Sequence, residues 1–310
     1  MARRSEDAPI LVTGAHRSGT TWVGKMLALA PGVAYVHEPF NPRTPPGISP
    51  ARFDRFYAVV TDENEDAYLP GLTRTLRLEY DWRAQVRSVR SLRDAGRGVR
   101  DLAAVTRARR AHARPIVKDP IALLSAEWLA ARFCMDVVVL IRHPGAFVAS
   151  LKRLGWTHRF DTFIDENGTV PEIVRPYERE IRAEAARASV DVVAQASLFW
   201  RILYNAVDGY RARHDDWIFP RHEDLSRDAE GEFERLYARL GLEWTSAVRR
   251  EIAGASSTEN PDVPDSTHAI RVDSSANVDR WRSVLTRQEA DEVRESTADV
   301  WPRFYSDDDW

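Results

Sequence analysis

Two stretches of the chain carry residue types and spacings suited to holding phosphate. In the first, an apolar run from Ile10 ends at Gly14, a turn holds Arg17, Ser18 and Gly19, and a helix is expected from Thr20. A strand that passes through a glycine-bounded loop into a helix N-terminus makes an anion site, because free backbone N–H groups and the helix dipole converge there. The spacing Gly14-x-x-x-x-Gly19-Thr20-Thr21 matches the phosphate-binding loop G-x-x-x-x-G-K-[ST], except that Thr20 stands where the lysine would be. That lysine serves the β- and γ-phosphates of a nucleoside triphosphate, so its absence argues against ATP or GTP chemistry. The cation left in the loop is Arg17, whose planar guanidinium suits a terminal phosphate held bidentately.

The second stretch runs from Val137 to Ser150. A buried strand is expected to end at Arg142, a turn follows, and a helix carries Ser150 eight residues later. The C-terminal ends of parallel strands are where open α/β sheets bind ligands. Taken singly, Arg142 reads as a strand cap and Ser150 as an ordinary helix serine. Together with the upstream loop they read as a second phosphate subsite.

The elements that position these residues alternate between strand and helix, the pattern of a parallel sheet covered on both faces. Expected strands are Ile10–Thr13, Val33–Val36, Pro115–Lys118, Val137–Ile141 and Trp217–Phe219. Expected helices are Thr20–Ala30, Ala122–Phe133, Ala146–Leu154, about Val190 to Arg213, Glu230–Leu240 and Arg287–Thr297. The expected architecture is therefore one α/β domain over residues 1–310, with a central parallel sheet of about five strands. Two segments break the rhythm. Residues 71–114 hold twelve Arg against four acids, and Arg83, Arg87, Arg90, Arg93, Arg97 and Arg100 recur at steps of four and three, one stripe of a helix. The stripe reads either as a solvated face or as an electropositive wall near the mouth of the site. Residues 254–277, rich in Ser, Thr, Asp and Pro, read as a long lid or binding loop.

Composition narrows the class. A chain of 310 residues that is 44% hydrophobic with ten Trp can bury a large core. A net charge of −3 points to neither nucleic acid nor a membrane surface. The lone Cys134 excludes a disulfide framework and a cysteine-built metal site, which suits a reducing cytoplasm. The N-terminus lacks the apolar core of a signal peptide, and no run reaches membrane-spanning length. A soluble cytoplasmic protein is expected, and the Ala/Arg-rich composition is that of a high-GC bacterium.

Both phosphate elements resemble those of the sulfotransferases that use 3′-phosphoadenosine 5′-phosphosulfate (PAPS) and release 3′-phosphoadenosine 5′-phosphate (PAP). Arg17-Ser18-Gly19-Thr20-Thr21, with Trp22 after it, is similar to the family's 5′-phosphosulfate loop. Arg142, Pro144 and Ser150 are similar to its 3′-phosphate element. The resemblance implies a phosphate-loop-like α/β fold. It makes Glu38, which follows the second strand twenty-one residues past Arg17, the catalytic base, as in the tyrosylprotein and carbohydrate types; His37 is the reserve base. Lys118-Asp119-Pro120 resembles the family's K-D-P element, in which Lys118 neutralises the leaving phosphate. Asp119 stands near the place of the cytosolic enzymes' histidine base, and is better explained as a helix cap ahead of Pro120. Arg221-His222-Glu223-Asp224-Leu225 resembles an adenine-contacting R-Y-E-D-L element, with His222 in place of the tyrosine and the two acids orienting the turn. Arg271, ten residues before Trp281, resembles a second cation for the 3′-phosphate, with Ser257 and Ser274 as further donors.

The resemblance implies PAPS as co-substrate, no metal, and an acceptor hydroxyl on a small molecule, glycan or lipid. The Arg stripe fits an anionic acceptor, and the Pro-rich loop within residues 35–55 would help shape its pocket. Two other functions share parts of the pattern. An ATP-dependent small-molecule kinase would share the loop, but the lysine it needs is missing from this chain, and it has no use for Arg142 with Ser150. A non-catalytic protein binding PAP or an anionic glycan has no use for Glu38 with Lys118.

Overall fold

The computed structural model describes residues 8–257 and 276–310. Four parallel strands form the sheet: β1 (Ile10–Gly14), β2 (Val33–His37), β3 (Arg114–Lys118) and β4 (Asp136–Leu140), in the order β2-β3-β1-β4. β-Branched and aliphatic residues dominate them because both sheet faces are covered. Alternation sorts their side chains. Ile10, Val12, Ile116, Val138 and Leu140 join one core, while Leu11, Val117, Val137 and Val139 join the other.

The fifth expected strand, Trp217–Phe219, is corrected to two isolated parallel bridges beside β4, Val138 with Ile218 and Ile141 with Arg221. Pro220 lies between the bridges and has no N–H for the bond that would join them into a ladder. Backbone bonds at either side still hold the segment, Ile218 N donating to Val137 O at 2.9 Å and His222 N to Ile141 O at 2.7 Å.

Helices cover both faces, and the expected ones all form with shifted ends. They are α1 (Thr20–Leu27), α2 (Leu69–Leu76), α3 (Trp82–Ser88), α4 (Leu92–Arg110), α5 (Ala126–Phe133), α6 (Pro144–Leu154), α7 (Glu178–Ala185), α8 (Val192–Arg213), α9 (His222–Arg227), α10 (Ala229–Leu240) and α11 (Ser246–Ala255). Three more, α12 (Ala276–Asp279), α13 (Trp281–Val284) and α14 (Arg287–Ser296), follow. α1 and α10 pack on one face through Val23, Met26, Leu27, Phe233 and Tyr237. α5, α6 and α8 pack on the other through Leu129, Phe147, Phe199 and Trp200. None of the described helices is long and apolar enough to cross a membrane.

The Arg-rich segment is not one helix. α3 ends as Val89 turns extended, and Ser91 starts α4 by accepting from Asp94 N. All six stripe arginines are exposed. The hairpin is fastened to the loop after β2: Asp81 N donates to Gly47 O at 2.9 Å, and Gly47 N to Gln85 Oε1 at 3.3 Å. Of the segment 254–277, the first residues close α11, residues 276 and 277 open α12, and 258–275, including Arg271 and Ser274, lie outside the described residues.

Arg114, the first residue of β3, is the exception to the exposed arginines. It is buried, ion-pairs with Asp136, and donates to Ala8 O at 2.5 Å and Leu240 O at 2.6 Å. One fork therefore joins β3, β4, the N-terminal segment and α10. Replacing it strips donors from buried carbonyls and breaks the pair. Arg114→Ala is expected to lose roughly 3 kcal/mol or more, read as a lowered urea midpoint.

Candidate active site

Parallel pairing brings the carboxyl ends of all four strands to one edge, and the chemistry-bearing residues stand there. The loop from Gly14 to Gly19 leaves β1, Glu38 follows β2, Lys118 ends β3 and Arg142 follows β4. The strand order reverses around β1, the position at which open α/β sheets form a ligand crevice.

The loop is bent by three left-handed residues, Gly14 (φ 141°), Arg17 (φ 65°) and Gly19 (φ 96°). Gly19 is required twice over: its φ disfavours a side chain, and a Cβ there would lie 2.6 Å from His222 Nδ1. It precedes α1 without any side-chain cap, which leaves the first turn's N–H groups facing the crevice edge. Thr20 is buried, and Thr21 and Trp22 are part-exposed on that turn. Trp22 packs edge-on against His222 and Phe233.

The structure joins the two phosphate elements across more than a hundred residues of sequence. Arg142 donates from its guanidinium to Arg17 O, and Arg17 Nε donates to Ser150 Oγ at 3.2 Å. Arg142 is held in turn by Tyr204, whose hydroxyl accepts from its N–H at 2.7 Å, and by Trp200, which donates to its carbonyl at 3.0 Å. Burial and the charges of Arg142 and Arg153 draw Arg17 down to about 10. Burial likewise lowers Arg142. Ser18 Oγ, Arg142 Nε and His222 Nδ1 are buried without a hydrogen-bond partner among the described residues. Clustered guanidiniums with unsatisfied polar atoms fit a multiply charged anion.

Glu38 and Lys118 form the second centre. β2 and β3 pair His37 with Lys118, and Glu38 N extends the ladder by donating to Lys118 O at 2.9 Å. Lys118 is wholly buried and ion-pairs with Glu38 Oε1. Asn41 Nδ2 donates to Glu38 Oε2 at 2.7 Å, and Thr44 Oγ1 to its carbonyl at 2.5 Å. Burial alone would raise the Glu38 carboxyl, but Lys118 and the Asn41 amide hold it below the ordinary glutamate range. Burial draws Lys118 down while Glu38 pulls it back, so each charge depends on the other. His37 is half-exposed, 3.9 Å from Glu38, with Nδ1 3.2 Å from Tyr35 Oη.

Asp119 acts as the expected cap. Its carboxylate accepts from Ile121 N at 2.9 Å and Ala122 N at 3.3 Å, and also from Phe40 N at 2.6 Å, which ties the turn after Glu38 to the end of β3. Burial raises it to about 7 against the pull of those backbone donors. Glu223 orients its turn as expected, accepting from His143 N at 3.0 Å and Tyr305 Oη at 2.9 Å.

Sequence reasoning missed several residues of this region. Trp156 lies beneath the Arg17 guanidinium at 5.8 Å, and Tyr57 binds the loop's His16. His16 was visible in the loop motif itself; Tyr57 carried no signal, since its contact spans 41 residues. Gly24 was also passed over. A Cβ there would lie 2.9 Å from Lys118 Cβ and Cγ, so a helix-interior glycine makes room for the buried lysine.

The sequence matches the model of the Sulfotransferase family over residues 9–246, and the chain belongs to that family. Sulfuryl transfer is thus its general chemistry. No curated protein matches it. Among solved structures it is similar to the sulfotransferase domain of the Synechococcus PCC 7002 olefin synthase, at 19% identity over 96% of this chain and 97% of that one, with a TM-score of 0.46. Sulfotransferase STF1 from Mycobacterium tuberculosis H37Rv is 18% identical over 94% and 76%, with a TM-score of 0.45. Mouse sulfotransferase SULT7A1, solved with PAP, is 11% identical over 98% and 87%, also with a TM-score of 0.45.

The Gly24 contact gives a counter-intuitive test. Alanine favours a helix interior by ~1 kcal/mol over glycine. Gly24→Ala should nonetheless lower the melting temperature and reduce turnover about tenfold or more, because Lys118 must shift.

Proposed function

We propose that the protein transfers the sulfuryl group of PAPS to an acceptor hydroxyl, releasing PAP. The observation that carries this reading is the Arg17–Arg142–Ser150 cluster beside an uncapped helix start, one strand away from the Glu38–Lys118 pair. Arg17, Ser18, Gly19, Thr20, Thr21 and Trp22 would hold the 5′-phosphosulfate, and Arg142 with Ser150 the 3′-phosphate. Arg153, whose charge reaches Arg17, belongs to the same electropositive edge. His222 would border the adenine, and Arg271 is assigned to the 3′-phosphate by resemblance alone. When bound, PAPS supplies an activated sulfuryl group whose transfer, like phosphoryl transfer, relies on positioning and charge neutralisation.

Glu38 is the base in this reading. Paired with Lys118 it is a weak one, since its charge is already satisfied. An anion delivered beside Lys118 shares the ammonium, relaxes that pairing and raises the Glu38 carboxyl toward a useful basicity. Lys118 then faces the oxygen on which negative charge accumulates. His37, half-exposed and at 3.9 Å, is the reserve.

On the acceptor side, the Arg-rich hairpin supports an anionic acceptor, because its fastening at Gly47 places it on the loop that follows Glu38. A cytoplasmic location is part of the same proposal.

The reading is tested first by PAP-dependent thermal shift, then by radiolabelled transfer from PAPS into host extracts with identification of the labelled product. Stabilisation by Mg·ATP but not PAP would point to a kinase. PAP binding without turnover would point to a binding protein. Glu38→Gln and Lys118→Ala should each lose at least ~10² in turnover, with PAP affinity little changed in Glu38→Gln. Near-wild-type turnover in Glu38→Gln would move the base to His37 or elsewhere.

The pH profile has a definite sign. Glu38 must be ionised, so activity falls as pH drops through its pKa. In kcat/KM for PAPS, which reports the free enzyme, that limb should lie below the ordinary glutamate range, because Lys118 holds Glu38 down. In kcat the limb should sit at higher pH. Coincident limbs would deny the exchange of Lys118 between Glu38 and the donor.

Charge reversal tests the hairpin. Arg97→Glu with Arg100→Glu should raise KM several-fold for an anionic acceptor and flatten its salt dependence, leaving a neutral acceptor and PAP affinity unaffected.

A further inference from the structure

His16 lies inside the phosphate loop, directly before Arg17, and has no part in the phosphate cluster or the Glu38–Lys118 pair. Its ring packs on Phe147 at 5.4 Å and Phe199 at 5.3 Å between centroids. The Tyr57 hydroxyl is 2.7 Å from its Nδ1 and accepts from its backbone N–H at 3.2 Å. That geometry favours one position for the ring proton. The phenol oxygen is already an acceptor, and its own proton has one acceptor among the described residues, His16 Nδ1. A ring that accepts at Nδ1 carries its proton on Nε2. Nε2 has no hydrogen-bond partner among the described residues, and His16 as a residue is part-buried.

Two further observations bear on the ring and its partner. Burial, with the adjacent Arg17 charge, draws His16 down to about 4 while the Glu38 charge opposes them, so the imidazole is neutral at physiological pH and senses both catalytic charges. The Tyr57 backbone is held at φ 58°, in the left-handed region, a strained conformation for a non-glycine residue.

Resting on the sulfuryl-transfer reading, we propose that His16 is a catalytic residue whose Nε2–H, set by Tyr57, donates to a non-bridging oxygen of the sulfuryl group as it passes between Arg17 and Glu38. The acceptor oxygen bonds to sulfur as the bond from sulfur to the phosphate oxygen breaks. The acceptor's proton goes to Glu38, the bonding electrons leave with the phosphate, and His16 keeps its own proton throughout. A neutral donor suits this place: it stabilises charge without adding a fourth cation to Arg17, Arg142 and Lys118, and without competing for Glu38. Tyr57 is a positioning residue, acting only through the ring.

The test combines a spectroscopic and a kinetic readout. In protein labelled with ¹⁵N-histidine and free of nucleotide, the His16 ring should show a bare Nδ1 and a protonated Nε2 unchanged from about pH 5.5 to 8. Tyr57→Phe should mix the tautomers. His16→Leu should lose ~10² in kcat with PAP affinity within a few-fold of wild type. His16→Gln, which returns an N–H near the Nε2 position, should recover to within about tenfold of wild type. The melting temperature of each variant reports folding, and the Gln variant separates a lost donor from lost packing.

An Nδ1–H tautomer, a His16→Leu turnover within threefold of wild type, or a Gln variant no better than the Leu variant would overturn the proposal. A wild-type chain that binds PAP but transfers nothing would overturn the reading of the site, and this inference with it. A wild type that turns over beside an unaffected His16→Leu overturns the inference alone.

Discussion

A wholly buried ammonium facing one carboxylate is the constraint on which the site depends. Moving either charge out of water alone is prohibitive, so Lys118 and Glu38 must be delivered to each other within hydrogen-bond reach. The sheet does this. The register that pairs His37 with Lys118 also lets Glu38 N bond to Lys118 O, so both side chains leave the same edge. Glu38 then adopts φ 46°, a costly conformation for a non-glycine residue, fixed by Asn41 and Thr44. On the opposite side α1 must approach closely, and Gly24 permits it. A glycine that weakens a helix, a strained glutamate and a buried lysine are three local violations with one cause. Such conflicts with local preference concentrate where function overrides stability.

The arginine edge follows a different logic. Arg17 and Arg142 repel, and Arg153 adds to the repulsion at Arg17, yet Arg142 donates to Arg17 O and Arg17 Nε to Ser150 Oγ, which keeps the two residues together. The arrangement is held by surrounding packing: Tyr204 and Trp200 grip the Arg142 backbone from α8, and those two rings are stacked at 4.3 Å in the core. On the proposed reading an arriving anion would relieve that repulsion, so the cluster would be preorganised for a ligand rather than for its own stability. Ser18 Oγ, Arg142 Nε and His222 Nδ1 make the same point at the level of single atoms.

How much of this was legible in the sequence depended on the range of the interaction. The strands were legible because buried parallel strands are runs of Val, Ile and Leu, and their boundaries fell within a residue or two. The fifth failed as a ladder because Pro220, directly after it and between the two bridges, lacks a donor. The Arg stripe was periodic, yet Ser91 caps a new helix within it, and local capping beat periodicity. The loop and the Arg142/Ser150 element could be named from spacing, but their meeting spans 125 to 133 residues and needs the strand order. The Lys118–Glu38 pair needs the register as well. Asp119 was legible as a cap; its bond to Phe40 N, which joins the turn after Glu38 to β3, was not.

Taken together, the two centres explain why the crevice can hold so much positive charge and still keep a usable base. On the proposed reading Arg17 and Arg142 would act on the donor's anionic groups, while Lys118 stays committed to Glu38 until that anion competes for it. The carboxylate would then be weakest as a base in the free protein and strengthen as the donor arrives. Acceptor deprotonation would be coupled to donor binding through the sharing of one ammonium. The hairpin enters at the far side of the same device. Gly47 ties it to the loop whose other end carries Asn41 and Thr44, the residues that fix Glu38. A displacement of α3 would reach Glu38 through two hydrogen bonds at Gly47 and the few residues of chain between Gly47 and Asn41, so on the proposed reading an acceptor engaging the hairpin would act on the base through that loop.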